Sequence, residues 1–276
     1  MLLNLISILC AVSTGIFAAR TDYGLWQTFG LCVLVWLGSF LGLVLLAVAV
    51  LAICCAFVDY DKPQEQDSPF YRRLAAVYID ALIRLLRIRV HTRGLEKTPE
   101  SGRFLLVCNH QFEADPGILL HYFKNSQLAF ISKQENRRLP FVGRIMHKIL
   151  CQLLDREDDR QALRVILKCI SLIKEDKCSI AVFPEGGIKI KGKLSAFRPG
   201  VFKIATKAQV PIVVCTLQNT QYVLKNGLKG RPTDVHLHLV DVVSPERYAG
   251  MKTTELSEMI HEIMLADLGP GFVPEA

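Results

Sequence analysis

Two stretches of the chain hold residues whose types and spacing could do chemistry. His110 and Asp115 stand in NHQFEAD, directly after the apolar run Phe104–Cys108. A carboxylate beside an imidazole fixes the ring's tautomer and stabilises the imidazolium formed on proton uptake. Such a base can deprotonate an alcohol so that it attacks an ester or thioester, with no nucleophile supplied by the protein. The second stretch is Phe183-Pro184-Glu185-Gly186-Gly187, with Lys189, Lys191, Lys193 and Arg198 following. Backbone amides freed by glycines, with cations beside them, suit a phosphate-bearing ligand. This is not a P-loop, because GxxxxGK[ST] is absent.

Each signal has a plainer reading. Asp115 precedes Pro116, so it could simply cap a helix. His110 could be a satisfied core histidine, and the lysine-rich loop a solvated one. The His-x4-Asp spacing also recurs at His236 and Asp241, inside VHLHLVDVV. Strand side chains alternate faces, so an offset of five there puts the two groups on opposite sides. His236 and His238 are therefore expected on a polar face of a sheet. His110 and Asp115 instead flank a strand-to-helix turn, where the chain can fold back and join them. Cys108 shares that strand end, but nothing near it marks an activated thiolate, so it is assigned to the core.

The elements that must position these groups follow from charge and periodicity. The chain has 276 residues, a formal charge of +7, 51% apolar and 21% charged residues. That is too apolar for a disordered tail and too charged for a polytopic membrane protein. Nine cysteines, odd in number and irregular in spacing, argue against a disulfide framework or a zinc site and for a reducing compartment. Residues 1–60 contain only Arg20, Asp22 and Asp59 as charges, so the remainder is a moderately basic globular part suited to anionic partners.

No charge occurs from Phe29 to Val58. As a helix that run would measure about 45 Å, against a hydrocarbon core of about 30 Å. Met1–Ala19 is also uncharged and just long enough to span. A secretory signal would carry a basic residue before its apolar run, and this one has none. The expectation is a membrane hairpin over residues 1–58, joined around Arg20–Thr28, either crossing the bilayer or re-entrant. Arg72, Arg73, Arg84, Arg87 and Arg89 outweigh Arg20, which places the catalytic domain on the cytoplasmic face.

A linker at 59–68 leads to a domain at 69–276. The domain opens with an amphipathic helix whose apolar face is Phe70, Leu74, Val77, Tyr78, Ala81, Leu82 and Leu85. That helix either lies on an anionic membrane surface or packs on the core. Strands are expected at Phe104–Cys108, Leu128–Ser132, Ser179–Phe183, Ile212–Thr216 and Val235–Val243. Helices are expected near Pro116–Phe123, Phe141–Leu150, Asp158–Lys174, Gly200–Ala208 and Thr254–Leu268. On the long one, Leu163, Ile166, Leu167, Ile170 and Ile173 form the apolar stripe. Such alternation predicts an α/β domain with a mostly parallel central sheet wrapped by helices. The chain contains no nucleic-acid motif.

NHQFEAD is followed in order by Lys133, Pro140 and Gly143, Asp155-Arg156, FPEGG, Phe197-Arg-Pro-Gly200 and Val210-Pro-Ile-Val213. Over residues 90–245 this series resembles the 1-acyl-glycerol-3-phosphate acyltransferase (lysophosphatidate acyltransferase) family. The resemblance implies that His110 is a general base oriented by Asp115. It also implies that Lys133 and the Asp155-Arg156 region meet the acceptor phosphate, and that Phe183, Pro184, Glu185 and Gly186 shape the acceptor site; Asn109 and Lys189 are grouped with them as substrate-binding. The acceptor would be a lysophospholipid from the membrane, most naturally 1-acylglycerol 3-phosphate, giving phosphatidic acid. The donor would be acyl-CoA or acyl-carrier protein, with no bound cofactor and no metal. Where the family pattern continues FPEG with Thr or Ser and then Arg, this chain has Gly187 and Ile188. That substitution leaves room for a different lysolipid acceptor, or for a non-catalytic lipid-binding module on the same fold. A hydrolase reading of Asn109-His110 lacks the accompanying ligand sets.

Overall fold

The computed structural model describes every residue except Met1, Asp22, Arg156, Glu157, Ile190, Lys191 and 274–276. Two apolar helices, α1 (Leu2–Ala18) and α2 (Leu25–Ala56), form a hairpin whose connection is shorter than expected, since Leu25–Thr28 are already helical. Ile6 and Cys10 of α1 and Leu51 and Cys55 of α2 are buried, and the Ser13 and Ser39 hydroxyls meet at 3.0 Å. Most other large side chains of the pair face outward, among them Leu9, Ile16, Leu34, Leu41 and Leu45. Exposed leucines in such number are unfavourable in water and normal in lipid. Among the described residues, α2 is the one helix long and apolar enough to cross a membrane, whereas α1 is shorter.

Helix α3 (Pro69–Leu85) joins this hairpin to the domain. The Tyr71 and Tyr78 hydroxyls donate to the Cys54 and Ala47 carbonyls of α2, at 2.8 and 2.5 Å. On the other side, the Arg72 guanidinium donates to Asp67 at 2.6 Å and to the Leu128 carbonyl at 2.9 Å. Both side chains of that ion pair are mostly buried. Of the expected apolar face, Ala81 is buried, whereas Phe70, Leu82 and Leu85 stay exposed. The helix therefore packs on protein and also presents apolar side chains outward.

The domain is a seven-stranded sheet in the order β1-β7-β6-β2-β5-β3-β4. The strands are β1 (Ile88–Arg93), β2 (Leu105–Cys108), β3 (Leu128–Lys133), β4 (Gln152–Leu154), β5 (Ser179–Val182), β6 (Ile212–Gln218) and β7 (Thr233–Val243). From β6 to β4 all neighbours run parallel, while β7 pairs antiparallel with β6 and carries β1 parallel to itself. The central strands β2 and β5 are wholly buried, as parallel strands covered on both faces must be. On one face pack α6 (Asp159–Lys174), α7 (Lys203–Ala208) and α9 (Thr253–Leu268). The other face is covered by α4 (Asp115–Tyr122) and α8 (Val223–Leu228), with the short α5 (Val142–Lys148) beside α3.

Two expectations are corrected. Of the expected stripe of α6, Ile173 is buried and Ile166 and Ile170 pack against the core, but Leu163 and Leu167 are exposed, and Val165, Cys169 and Leu172 are buried instead. The helix is rotated about its axis relative to the face chosen from leucine spacing. Between Val214 and Cys215 of β6 the register against β7 slips, so that Cys215 pairs with Leu239 but Val214 with Asp241, passing over Val240. A bulge of this kind resets the alternation. Val235, Leu237 and Leu239 join one core and Val243 the other. His236 and Asp241 are thus kept apart by distance along the strand, and not by facing opposite ways. His236 stacks on His91, and Asp241 binds Arg247 at 2.8 Å.

Replacing Arg72 with Met strands the Asp67 carboxylate in the interior, and breaking a buried pair from one side costs about 3–5 kcal/mol. The expected result is a clear fall in the thermal midpoint of detergent-solubilised protein, with partial recovery when Asp67→Leu is added. Equal midpoints for wild type and Arg72→Met would refute this role.

Candidate active site

Because β2, β5 and β3 are parallel neighbours, their C-terminal ends open on one edge of the sheet. In open α/β sheets that edge is where ligands are bound. Just beyond β2 the chain turns back on itself. The Asp115 carboxylate, fully buried, accepts from three donors on one oxygen, Oδ2: His110 Nδ1 at 2.9 Å, the Gln111 amide at 2.7 Å and the Phe112 amide at 2.9 Å. Asp115 lies within the first turn of α4, after Ala114, and makes no helix-capping bond. Its side chain points backward to the turn, so the capping alternative is excluded.

With Nδ1 donating to the carboxylate, the imidazole lone pair is left on Nε2. His110 is held from two further directions. Its ring stacks on Phe183 with centroids 4.2 Å apart and planes 19° from parallel, and Phe183 stacks in turn near Phe130. Its backbone amide donates to Glu185 Oε1 at 2.8 Å. About a sixth of the His110 side chain (17%) remains exposed, enough for one ring edge to meet a substrate while the rest is fixed. The arrangement can take a proton from a hydroxyl and hand it to a leaving group.

Glu185 and Asn109 hold other positions than the sequence suggested. Glu185 is 1% exposed, and its second oxygen accepts the Ser195 amide at 2.9 Å. Burial pushes its carboxyl above the usual range, and the Ser195 and His110 amides pull it partly back. Both oxygens are engaged with backbone, so Glu185 ties the His110 turn to the 195 loop and is not free for an acceptor. Asn109 is likewise buried: its side-chain amide donates to the Leu217 carbonyl at 2.8 Å and accepts the Leu217 amide at 2.7 Å. It closes the end of β2 onto β6 as a strand residue would, and does not face a ligand.

The remaining residues sit at the mouth. Phe183 forms the wall of the site, Pro184 is buried, and its carbonyl accepts the Arg198 amide at 2.8 Å. Gly186 has φ +75°, and a Cβ there would stand 2.8 Å from Arg198 Nε. Only glycine satisfies both the left-handed backbone and the close approach. Lys133 is exposed at the end of β3, and Lys189 is exposed on the loop. Arg156 lies outside the described residues. Arg198, one of the cations read from sequence as suited to a phosphate, lies across the glycine turn, whereas Phe130 behind Phe183 and Ser195 as partner of Glu185 carry no sequence signal. Burial drives the Cys108 thiol well above its ordinary range, consistent with its assignment to the core.

Two substitutions separate these roles. Asp115→Asn is expected to cut kcat by about 10²–10⁴, with little change in acceptor KM. Glu185→Gln can accept only one of the two amides, so a loss of about 1–3 kcal/mol in stability and a lower kcat are expected. A pure rise in acceptor KM for Glu185→Gln would show instead that this side chain touches substrate.

The acyltransferase family profile matches residues 89–218. The 1-acyl-sn-glycerol-3-phosphate acyltransferase of Borreliella burgdorferi is 28% identical over 192 residues, covering 67% of this chain and 76% of that protein. The like-named protein of Chlamydomonas reinhardtii is 27% identical, over 86% of this chain and 69% of its own length. A chloroplast relative from Arabidopsis thaliana reaches 32%, but the match spans only 39% of its length. Among solved structures, the 1-acyl-sn-glycerophosphate acyltransferase PlsC of Thermotoga maritima shares the fold, with a TM-score of 0.61 at 24% identity, over 81% of this chain and 90% of that one.

Proposed function

From the match of residues 89–218 to the acyltransferase family profile, we propose that this chain moves a fatty acyl group from a thioester to the free hydroxyl of a lysophospholipid. The acceptor we assign is 1-acylglycerol 3-phosphate, the substrate named for the relatives, and the product phosphatidic acid. The observation that carries the reading is the His110–Asp115 contact at 2.9 Å at the open edge of the sheet.

In this scheme His110 Nε2 takes the proton of the acceptor hydroxyl as its oxygen attacks the thioester carbonyl. Asp115 stabilises the imidazolium that forms. The tetrahedral intermediate collapses, the carbon–sulfur bond breaks, and the imidazolium returns its proton to the departing thiolate. Acyl-CoA and acyl-carrier protein are both thioester donors of the required kind. The acceptor phosphate is met by Lys133, Arg156 and Lys189. Arg198 joins them, because its side chain crosses the glycine turn where the family arginine is replaced by Ile188. The apolar hairpin delivers the lipid from the membrane. The arginine bias after the hairpin favours a domain on the cytoplasmic side.

The test uses the full chain in detergent, labelled acyl-CoA and acyl-carrier protein, and a panel of lysolipids. Transfer to lysophosphatidate is expected, and His110→Ala should lower it by about 10²–10⁴. Near-normal transfer by His110→Ala sinks the mechanism. Transfer to another lysolipid alone would redirect the acceptor assignment and implicate Ile188.

A further inference from the structure

A second cluster of cations lies where α2 enters the domain, and the reaction makes no use of it. A cavity of about 470 Å³ is lined by Tyr60, Gln134, Glu135, Arg137 and Arg138. That volume falls within the range of small-ligand clefts, roughly 300–1,000 Å³. Tyr60 lies four residues beyond the end of α2. The Arg137 guanidinium sits 4.6 Å from its ring centroid and that of Arg144 5.6 Å. The Tyr60 hydroxyl donates to the Arg137 carbonyl at 3.1 Å. A Cβ at Gly143 would press on that hydroxyl at 2.7 Å, so glycine is what lets this segment lie against Tyr60.

Two guanidiniums thus flank one aromatic ring, and Arg138 lines the same cavity. The acidic groups facing them are Glu135, on the cavity wall, and Asp61, 4.0 Å from Arg137 and 97% exposed. The buried Nε of Arg144 has no hydrogen-bond partner, although a buried donor normally finds one. Arg137, Arg138 and Arg144 thus outnumber the two carboxylates beside them. Phe57, three residues before Tyr60, and Leu139 and Val142, in the segment that follows Arg138, are exposed apolar side chains. The end of α2 touches the same loop, through Cys55 Sγ at 3.9 Å from the Phe141 carbonyl.

We propose that this cavity binds the phosphate headgroup of an anionic phospholipid of the bilayer, at the foot of the hairpin. Arginine forks match phosphate oxygens in pairs. The exposed Phe57, Leu139 and Val142 give the acyl chains of that lipid an apolar surface, which a free phosphate would not need. The cavity shares no lining residue with the His110 site, and the proposal stands whichever acceptor that site takes.

The test places the full chain in phosphatidylcholine nanodiscs and measures, by electron spin resonance, how strongly it immobilises spin-labelled phosphatidylglycerol relative to spin-labelled phosphatidylcholine. Wild type should prefer phosphatidylglycerol, and each arginine removed should lower the preference roughly five-fold. The Arg137→Gln/Arg138→Gln variant should reach parity while keeping its acyl-transfer rate in detergent. Should the double variant fold poorly, Arg138→Gln alone and the loss of preference with added salt in wild type give the same reading. An unchanged preference in the variants, no preference in wild type, or displacement of the lipid by millimolar inorganic phosphate each overturns the assignment.

Discussion

One oxygen carries the active site. Asp115 Oδ2 gathers an imidazole N–H and two backbone N–H groups into a fully buried place. A lone buried carboxylate would be expensive, and three aligned donors are what make this one tolerable. The same bonds fold the NHQFEAD turn and set the tautomer of His110. Local backbone shape and chemical competence are therefore one property here. A change that releases the carboxylate would unfold the turn as well as mis-set the base.

Glu185 repeats the device from the neighbouring strand. Its carboxylate spans from the His110 amide to the Ser195 amide, so the base is braced against the loop that carries Arg198. Asn109 adds a third brace, imitating a peptide group between β2 and Leu217. Three polar side chains of the motif regions serve to hold backbone in place. In the proposed mechanism the groups left to meet substrate are the His110 ring edge, the Phe183 wall and the cations at the rim. Rigid support of this kind is what general-base geometry requires.

The sequence made the sheet legible because parallel, doubly covered strands read as short apolar runs, as in Leu105–Cys108 and Ser179–Val182. It also joined His110 to Asp115, since a strand-to-helix turn allows the contact. It hid whatever depends on distant backbone. No side-chain pattern announces that Asn109 pairs with Leu217, or that Glu185 answers Ser195. The edge strand β1 alternates charge and apolar side chains over only six residues, and went unread after the basic end of α3. The bulge in β7 is a register event, invisible to any alternation rule applied along one strand. For α6, leucine spacing is a poor guide to the buried side, because Val165 and Cys169 fill the core while Leu163 and Leu167 face outward.

The grip of α3 on α2 also ties the domain to the tilt of that helix. Tyr78 and Tyr71 hold the carbonyls of Ala47 and Cys54 on one side of the lower turns of α2, while Val48, Val50 and Ile53 stay exposed on the other. The whole helix, from Leu25 to Ala56, would measure about 48 Å at the helical rise, more than the roughly 30 Å of a bilayer's oily layer, so a spanning α2 has to lean. Hydrophobic matching would then fix how high the catalytic mouth rides over the headgroups, and bilayers of different thickness would tip the whole domain with the helix.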